Sequence, residues 1–192
     1  MEQFLNHDAI VDWKHPQVLA LAKKLGGSDG TVAVAARCFA WVRDEVGHSA
    51  DQGDDVVTCA ASDVLQHRTG LCYAKSHLLA ALLRANGIPA GFCYQRLSMH
   101  DSGPPYCLHG LNAVFLPEIG WYRADARGNR SGLSTEFTPP AEVLAFQPRV
   151  AGEATFKTIW PEPLPVVVAA LQEASTMTEL LSNLPDWEAD EL

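Results

Sequence analysis

The chain has 192 residues, 47% of them hydrophobic and 19% charged, with a net charge of −9 and a pI near 5.1. That balance suits one domain over residues 1–192 that buries about 70% of its unfolded surface without a disulfide or metal staple, and it excludes disorder. The acidity, with no offsetting Lys/Arg run, argues against a nucleic-acid partner, and no apolar run approaches the ~20 residues of a membrane span.

In chain order, Pro16 to Leu25 reads as a helix, with Pro at its first position and Gly26-Gly27 ending it. Thr31 to Val46 reads as a second, with Val34, Cys38, Trp41 and Val42 on one face and Asp29 as its cap. Gly47 to Val57 is polar and reads as a loop, including the Asp51, Asp54, Asp55 run, which lacks an EF-hand pattern. Ser62 to His67 reads as a short helix capped by Ser62 and broken at Thr69-Gly70. Leu71 to Asn86 is the clearest helix, with an apolar stripe through Leu71, Ala74, Leu78, Leu82 and Ala85. Gly87 sits where a left-handed C-cap belongs, and Pro89 forbids continuation.

The pattern then changes period. Ala90 to Leu97 reads as a strand, Ser98 to Tyr106 as a loop, and Leu108 to Leu116 with Trp121 to Asp125 as a hairpin. Thr155 to Trp160 reads as a further strand. Two short helices, Val166 to Glu173 and Thr178 to Asn183, and an acidic tail from Asp186 to Leu192 complete a C-terminal extension over about 161–192. Helices first and an antiparallel sheet later predict an α+β fold.

Five cysteines, an odd number with no C-x-x-C, and an opening without a charged-then-apolar leader predict a reducing, cytoplasmic compartment. Cys38, Cys59, Cys93 and Cys107 lie mid-element or beside elements and read as small buried hydrophobes. Cys72 alone stands at a predicted helix start, where unpaired N–H groups and the helix dipole favour a thiolate. Gly70, two residues before it, would let a substrate backbone approach.

A reactive thiol needs a histidine and a third group to orient it. Of seven histidines, His7, His15, His48, His67 and His100 fall in predicted loops or near helix ends, and His77 is turned away on the Cys72 helix. His109 opens a predicted strand in an apolar segment, and the next strand closes on Asp125. Side chains alternate faces along a strand. A tight four-residue turn pairing Leu116 with Trp121 would put His109 and Asp125 on opposite faces. A catalytic triad therefore requires a register that differs from it by one residue, or a bulge.

The stretch Gly70-Leu71-Cys72-Tyr73-Ala74-Lys75, followed by Leu78 through Arg84-Ala85-Asn86-Gly87-Ile88-Pro89-Ala90, resembles the core motif of the transglutaminase-like superfamily. His109-Gly110-Leu111-Asn112-Ala113-Val114 and Gly120-Trp121-Tyr122-Arg123-Ala124-Asp125 resemble its second and third motifs. The resemblance covers about 30–127. It implies a papain-like fold, with Cys72 at a helix N-terminus packed on an antiparallel sheet that carries His109 and Asp125. It also implies acyl transfer from an amide or ester through a thioester, to water or to an amine. The substrate so implied is a peptide, a protein or a small amide, with no cofactor and no metal. Two departures bear on the substrate: Leu111 stands where the family often has Trp, removing an aromatic wall, and Ala126-Arg127 stands where Pro and Thr often follow the aspartate.

Gln66, six residues before Cys72, is the candidate side-chain donor for an oxyanion hole, with Asn112 a weaker one. Gly70, Tyr73, His100 and Tyr106 are candidate cleft residues, the last two from a loop expected to overhang the thiol. Gly26-Gly27-Ser28-Asp29-Gly30 matches G-x-S-x-G but follows a helix, so it reads as an inter-helix turn. Cys93, His100, Cys107 and His109 lack the paired spacing of structural zinc sites. The alternative of a different class is a binding or scaffolding domain that keeps this fold without turnover.

Overall fold

The protein is described here by a computed structural model covering residues 1–100 and 102–188. Asp101 of the 98–106 loop and the last four residues of the acidic tail lie outside the described residues. After a short 3-10 turn (Glu2–Leu5) come α1 (Pro16–Leu25) and α2 (Thr31–Glu45). Asp29 does not cap α2. The N-cap is Gly30, with φ at +87°, and the Asp29 carboxylate instead binds Arg37 at 2.9 Å.

The stretch expected as a loop after α2 is partly ordered, as β1 (Gly47–His48) and α3 (Ser49–Gln52). β1 pairs in parallel with β2 (Thr69–Gly70), Gly47 opposite Thr69 and His48 opposite Gly70. Two-residue strands carry no periodicity, so nothing in the local pattern announces them. Between them lies α4 (Ala61–His67). Its start is held by the Asp63 carboxylate, which accepts from the Ala60 N–H at 3.3 Å, and not by Ser62, whose N–H donates to Asp12 at 3.0 Å.

Helix α5 (Cys72–Ala85) is buried on every side, from Cys72 to Arg84. Its polar residues therefore need partners inside the protein. Lys75 Nζ donates to the carbonyls of Val46 and Arg43, Ser76 Oγ to Cys72 O at 2.8 Å, and Arg84 to the carbonyls of Ala90, Asn6 and Pro161. His77 Nδ1 lies 2.7 Å from the Cys59 carbonyl. These contacts tie the central helix to four separate loops. The helix ends where expected, with Gly87 at φ +72°.

The sheet follows: β3 (Ala90–Ser98), β4 (Tyr106–Leu116) and β5 (Gly120–Ala124), then a separate hairpin of β6 (Glu136–Thr138) and β7 (Ala141–Val143), and β8 (Ala154–Thr155). The main sheet is antiparallel in the order β5-β4-β3-β8. The strand expected over 155–160 is interrupted. Thr155 pairs with Gln95 and Trp160 bridges to Phe92, but the chain bows out at exposed Lys157 and Thr158. The observed architecture is α+β, with α5 laid against an antiparallel sheet.

Helices α6 (Pro165–Glu173) and α7 (Met177–Ser182) add Val167, Leu171, Met177 and Leu180 to the core that surrounds α5. Beyond α7, the Pro185 carbonyl accepts from the Leu108 N–H at 2.8 Å, and Asp186 binds the Arg96 guanidinium at 2.7 and 2.6 Å. Among the described residues no helix is long and apolar enough to cross a membrane.

Candidate active site

Cys72 is the first residue of α5, with Leu71 as N-cap. The first N–H groups of a helix have no intrahelical partner, so the thiol begins its helix beside free donors. Two glycines bring neighbouring chain close. A Cβ on Gly70 would meet Thr58 Oγ1 at 3.0 Å and Ala74 Cβ at 3.1 Å. A Cβ on Gly110 in β4 would meet Tyr73 Cδ1 at 2.9 Å. The bare backbone at 110 lets the start of α5 sit directly on β4, and the Gly110 N–H points at Cys72 Sγ from 3.5 Å.

The hairpin settles the register question. Leu116 pairs with Gly120 and Asn112 with Ala124, one residue away from the tight turn first drawn. His109 and Asp125 therefore share a face, and because β4 runs past the end of β5 they meet as diagonal neighbours. His109 Nε2 and Asp125 Oδ2 lie 2.8 Å apart, both side chains buried.

Asp125 is fully buried and its carboxylate is well served. Oδ1 accepts from the Arg127 N–H at 3.1 Å, and Oδ2 accepts from the Ala145 N–H at 3.0 Å as well as from His109. Burial pushes its carboxyl up, but the His109 charge and these hydrogen bonds hold it below the usual range. For His109, burial disfavours the charged ring. The Asp125 charge, the Cys72 side chain and hydrogen bonding to both overcome that and raise the imidazole to about 10.

The remaining expectations divide. Tyr73 lines the cleft, and its hydroxyl donates to the Leu108 carbonyl. Gln66 is exposed on α4 and is not part of the cleft wall, so it is no oxyanion donor. Helix α4 runs with its other side, Ala61 and Val64, toward the core. Asn112 is also committed elsewhere, donating to the Ser76 and Gly91 carbonyls. Gly70 does not line the cleft; its small size serves packing against Thr58 and Ala74. His100 is exposed on its loop. Tyr106 turns away, its hydroxyl donating to the Ala151 carbonyl at 2.7 Å and its ring lying under Arg96. Both lie outside the cleft wall: Tyr106 opens β4 opposite Ser98 of β3, whose hydroxyl donates to the Gly103 carbonyl.

Other residues form the site without local signals. Phe146, just after β7, places its ring edge-on to His109 at 4.9 Å and supplies an aromatic wall that the motif around Leu111 lacks. His48 lines the same cleft as Cys72 and His109, and its buried Nδ1 has no hydrogen-bond partner among the described residues. Burial and the Arg127 charge press its imidazole down to about 3. Arg127 forms a two-pronged pair with Asp51 at 2.5 and 2.8 Å, so Asp51 is no solvated loop residue. A glycine inside a predicted strand is a known mark of close backbone approach; Gly110 marks the approach of α5, and Gly91 in β3 marks that of Ile159 and Trp160. The cleft itself encloses about 890 Å³, with Leu181 and Leu184 of the C-terminal extension in its wall.

A helix-borne thiol beside a strand-borne, carboxylate-bound imidazole is the arrangement on which comparison with known proteins bears. The family model of the transglutaminase-like superfamily matches residues 19–126. The chain belongs to the transglutaminase-like superfamily. That superfamily is a cysteine-based enzyme family. No curated protein matches the chain. Among solved structures, the chain is similar to a candidate cysteine protease from Cytophaga hutchinsonii, at 22% identity and a TM-score of 0.53, over 65% of this chain and 40% of that one. It is also similar to the periplasmic domain of TgpA from Pseudomonas aeruginosa bound to ethylmercury, at 21% identity and a TM-score of 0.47, over 64% of this chain and 46% of that one. The chain thus spans less than half the length of either structure, and at these identities the first likeness is one of fold.

Proposed function

We propose that this transglutaminase-like protein transfers acyl groups from an amide or ester through a thioester on Cys72. The observation that carries the reading is the 2.8 Å contact between His109 Nε2 and the buried Asp125 Oδ2, with His109 lining the same cleft as Cys72. With Nε2 committed to Asp125, Nδ1 is the ring nitrogen left for the thiol. His109 takes the thiol proton, and the sulfur attacks the carbonyl carbon. The oxyanion that forms meets the free N–H groups at the start of α5. The imidazolium then gives its proton to the departing amine or alcohol, leaving the thioester. Water or an amine, deprotonated by His109, attacks the thioester and releases an acid or a new amide with the thiol restored. Asp125 orients the ring and stabilises its charged form. The donor class is a peptide, a protein or a small amide, and the steps as written need no cofactor. Five unpaired cysteines support cytoplasmic residence as part of this reading.

The test is acylation by an activated ester followed by intact-protein mass measurement. One acyl group is expected on the wild type and none on Cys72→Ala, with His109→Ala slower by on the order of 10²–10⁴-fold. The reading is lost if Cys72 is alkylated no faster than free cysteine at neutral pH and Cys72→Ala retains every activity.

A further inference from the structure

The cleft reverses the charge of the rest of the chain. The protein carries 23 acidic and 14 basic side chains, yet three arginines and one carboxylate line the cleft: Arg127, Arg130, Arg149 and Glu153. Glu153 is occupied by backbone, accepting from the N–H groups of Ser98, Arg149 and Val150 at 2.6 to 3.1 Å. The arginines of this chain are otherwise placed. Five of them sit in ion pairs of 2.5 to 3.2 Å, Arg84 donates to backbone carbonyls, and Arg68 lies over the Trp41 ring.

The two left over are both in the cleft. Arg130 reaches only 3.6 Å from an Asp51 carboxylate that Arg127 already holds, and its side chain is 54% exposed. Arg149 has no ion-pair partner within 4.0 Å among the described residues and is exposed. A carboxylate entering this cleft would meet two guanidinium groups whose pairing is incomplete, in a concave site that concentrates their field.

Resting on the acyl-transfer reading above, we propose that the cleft selects acyl donors carrying carboxylates beside the reacting carbonyl, held by Arg130 and Arg149. The substrate class is an acidic peptide or protein segment. The apolar part of the wall, Leu133, Leu144, Leu181 and Leu184, would receive its uncharged side chains.

The test separates binding from chemistry by using the Cys72→Ala variant of the 192-residue chain. Three fluorescent peptides are matched except that Glu, Gln or Lys flanks the central amide, and their binding is followed by anisotropy. The Glu peptide is expected to bind roughly tenfold more tightly than the Lys peptide, weakening as salt is raised. The Arg130→Ala/Arg149→Ala double variant, checked for an unchanged melting temperature, should erase the difference. Arg149→Glu should favour the Lys peptide. Should the double variant fail to fold, the salt titration and the single Arg149→Gln variant decide the matter. Equal binding of Glu and Lys peptides, a preference that survives both arginine changes, or no binding of the Glu peptide overturns the proposal. If the acyl-transfer reading alone fails, the wild type shows no acyl group on Cys72 while the acidic preference persists.

Discussion

Gly110 lies beneath Tyr73 with no room for a side chain. A Cβ there would come within 2.9 Å of the tyrosine ring and 3.3 Å of its Cα. The distance between the helix carrying the thiol and the strand carrying the imidazole is therefore set by a missing methyl group. Gly110→Ala should destabilise the fold by about 1–3 kcal/mol, since the backbone of α5 cannot yield as a flexible side chain would. It should also slow alkylation of Cys72 by moving Sγ from β4. Urea denaturation and the rate of carbamidomethylation report the two effects separately, and an alanine variant of wild-type stability would mean that the contact is softer than drawn.

Asp125→Asn keeps the shape of the group that faces His109 and removes its charge. The expected result is a loss of acylation on the order of 10³-fold or more with little change in substrate binding, because orientation and charge stabilisation of the ring are lost together. Single-turnover acylation measured against a binding constant would show the split. A loss confined to binding would place Asp125 outside the mechanism.

The same pair makes stability depend on alkaline pH. The His109 imidazole is raised from 6.5 to about 10 by its neighbours in the folded state. The folded protein thus holds this proton more tightly than the unfolded chain. Its contribution is fully present below the unfolded value and is lost as pH rises through the folded one. The stability of the wild type relative to His109→Gln should fall between about pH 6.5 and 10. Melting curves of the two proteins across that range check it; parallel curves would show that the ring carries no extra proton.

On the acid side, His48 and His77 act in the opposite sense. Burial lowers His48 to about 3 and His77 to about 4, each from 6.5. Here the unfolded chain binds the protons first, so the stability each neutral ring provides is intact above 6.5 and is lost as pH falls toward the folded value. His48→Gln should flatten the acid limb of the stability profile between about pH 6.5 and 3, measured by urea denaturation. An unchanged slope would mean that His48 is protonated in the folded state.

Arg127 and Asp51 join the segment after β5 to helix α3. Arg127 is 7% exposed and Asp51 27%. Either single change, Arg127→Leu or Asp51→Asn, leaves the partner charge poorly paired and should cost about 1–3 kcal/mol, less than a fully buried pair because Asp51 meets solvent. The double variant should be less destabilised than the sum of the two. A double-mutant cycle by urea denaturation measures the coupling, and additive effects would show that the pair contributes nothing.

Helices α1 and α2 could be read directly because burial repeats along them at helical spacing. Helix α5 and strands β3 and β4 are buried along almost their whole length, and were legible as long apolar segments, with Gly87 and Pro89 marking the end of α5 by backbone chemistry alone. Cys72 was legible because its place relative to a helix start is a local property. β1, β2 and α3 were not, since each has four residues or fewer and is held by partners elsewhere in the chain. Gln66 and Tyr106 failed for a related reason. Their distance along the chain from Cys72 and His109 says nothing about which way a short helix turns or what a loop finds to bind.

By itself, the sequence determined the α+β order, a helix over Leu71 to Asn86 with Cys72 near its start, and the identities of His109 and Asp125 as the residues to test. Only the tertiary structure decided whether those two meet, because a one-residue change of register reverses every side chain on a strand and the turn at Pro117 to Gly120 permits more than one. It also brought Phe146, His48 and the cleft arginines into the cleft that the thiol lines. Those contacts join segments up to some seventy residues apart or more along the chain, a distance at which periodicity is silent and only packing assigns neighbours.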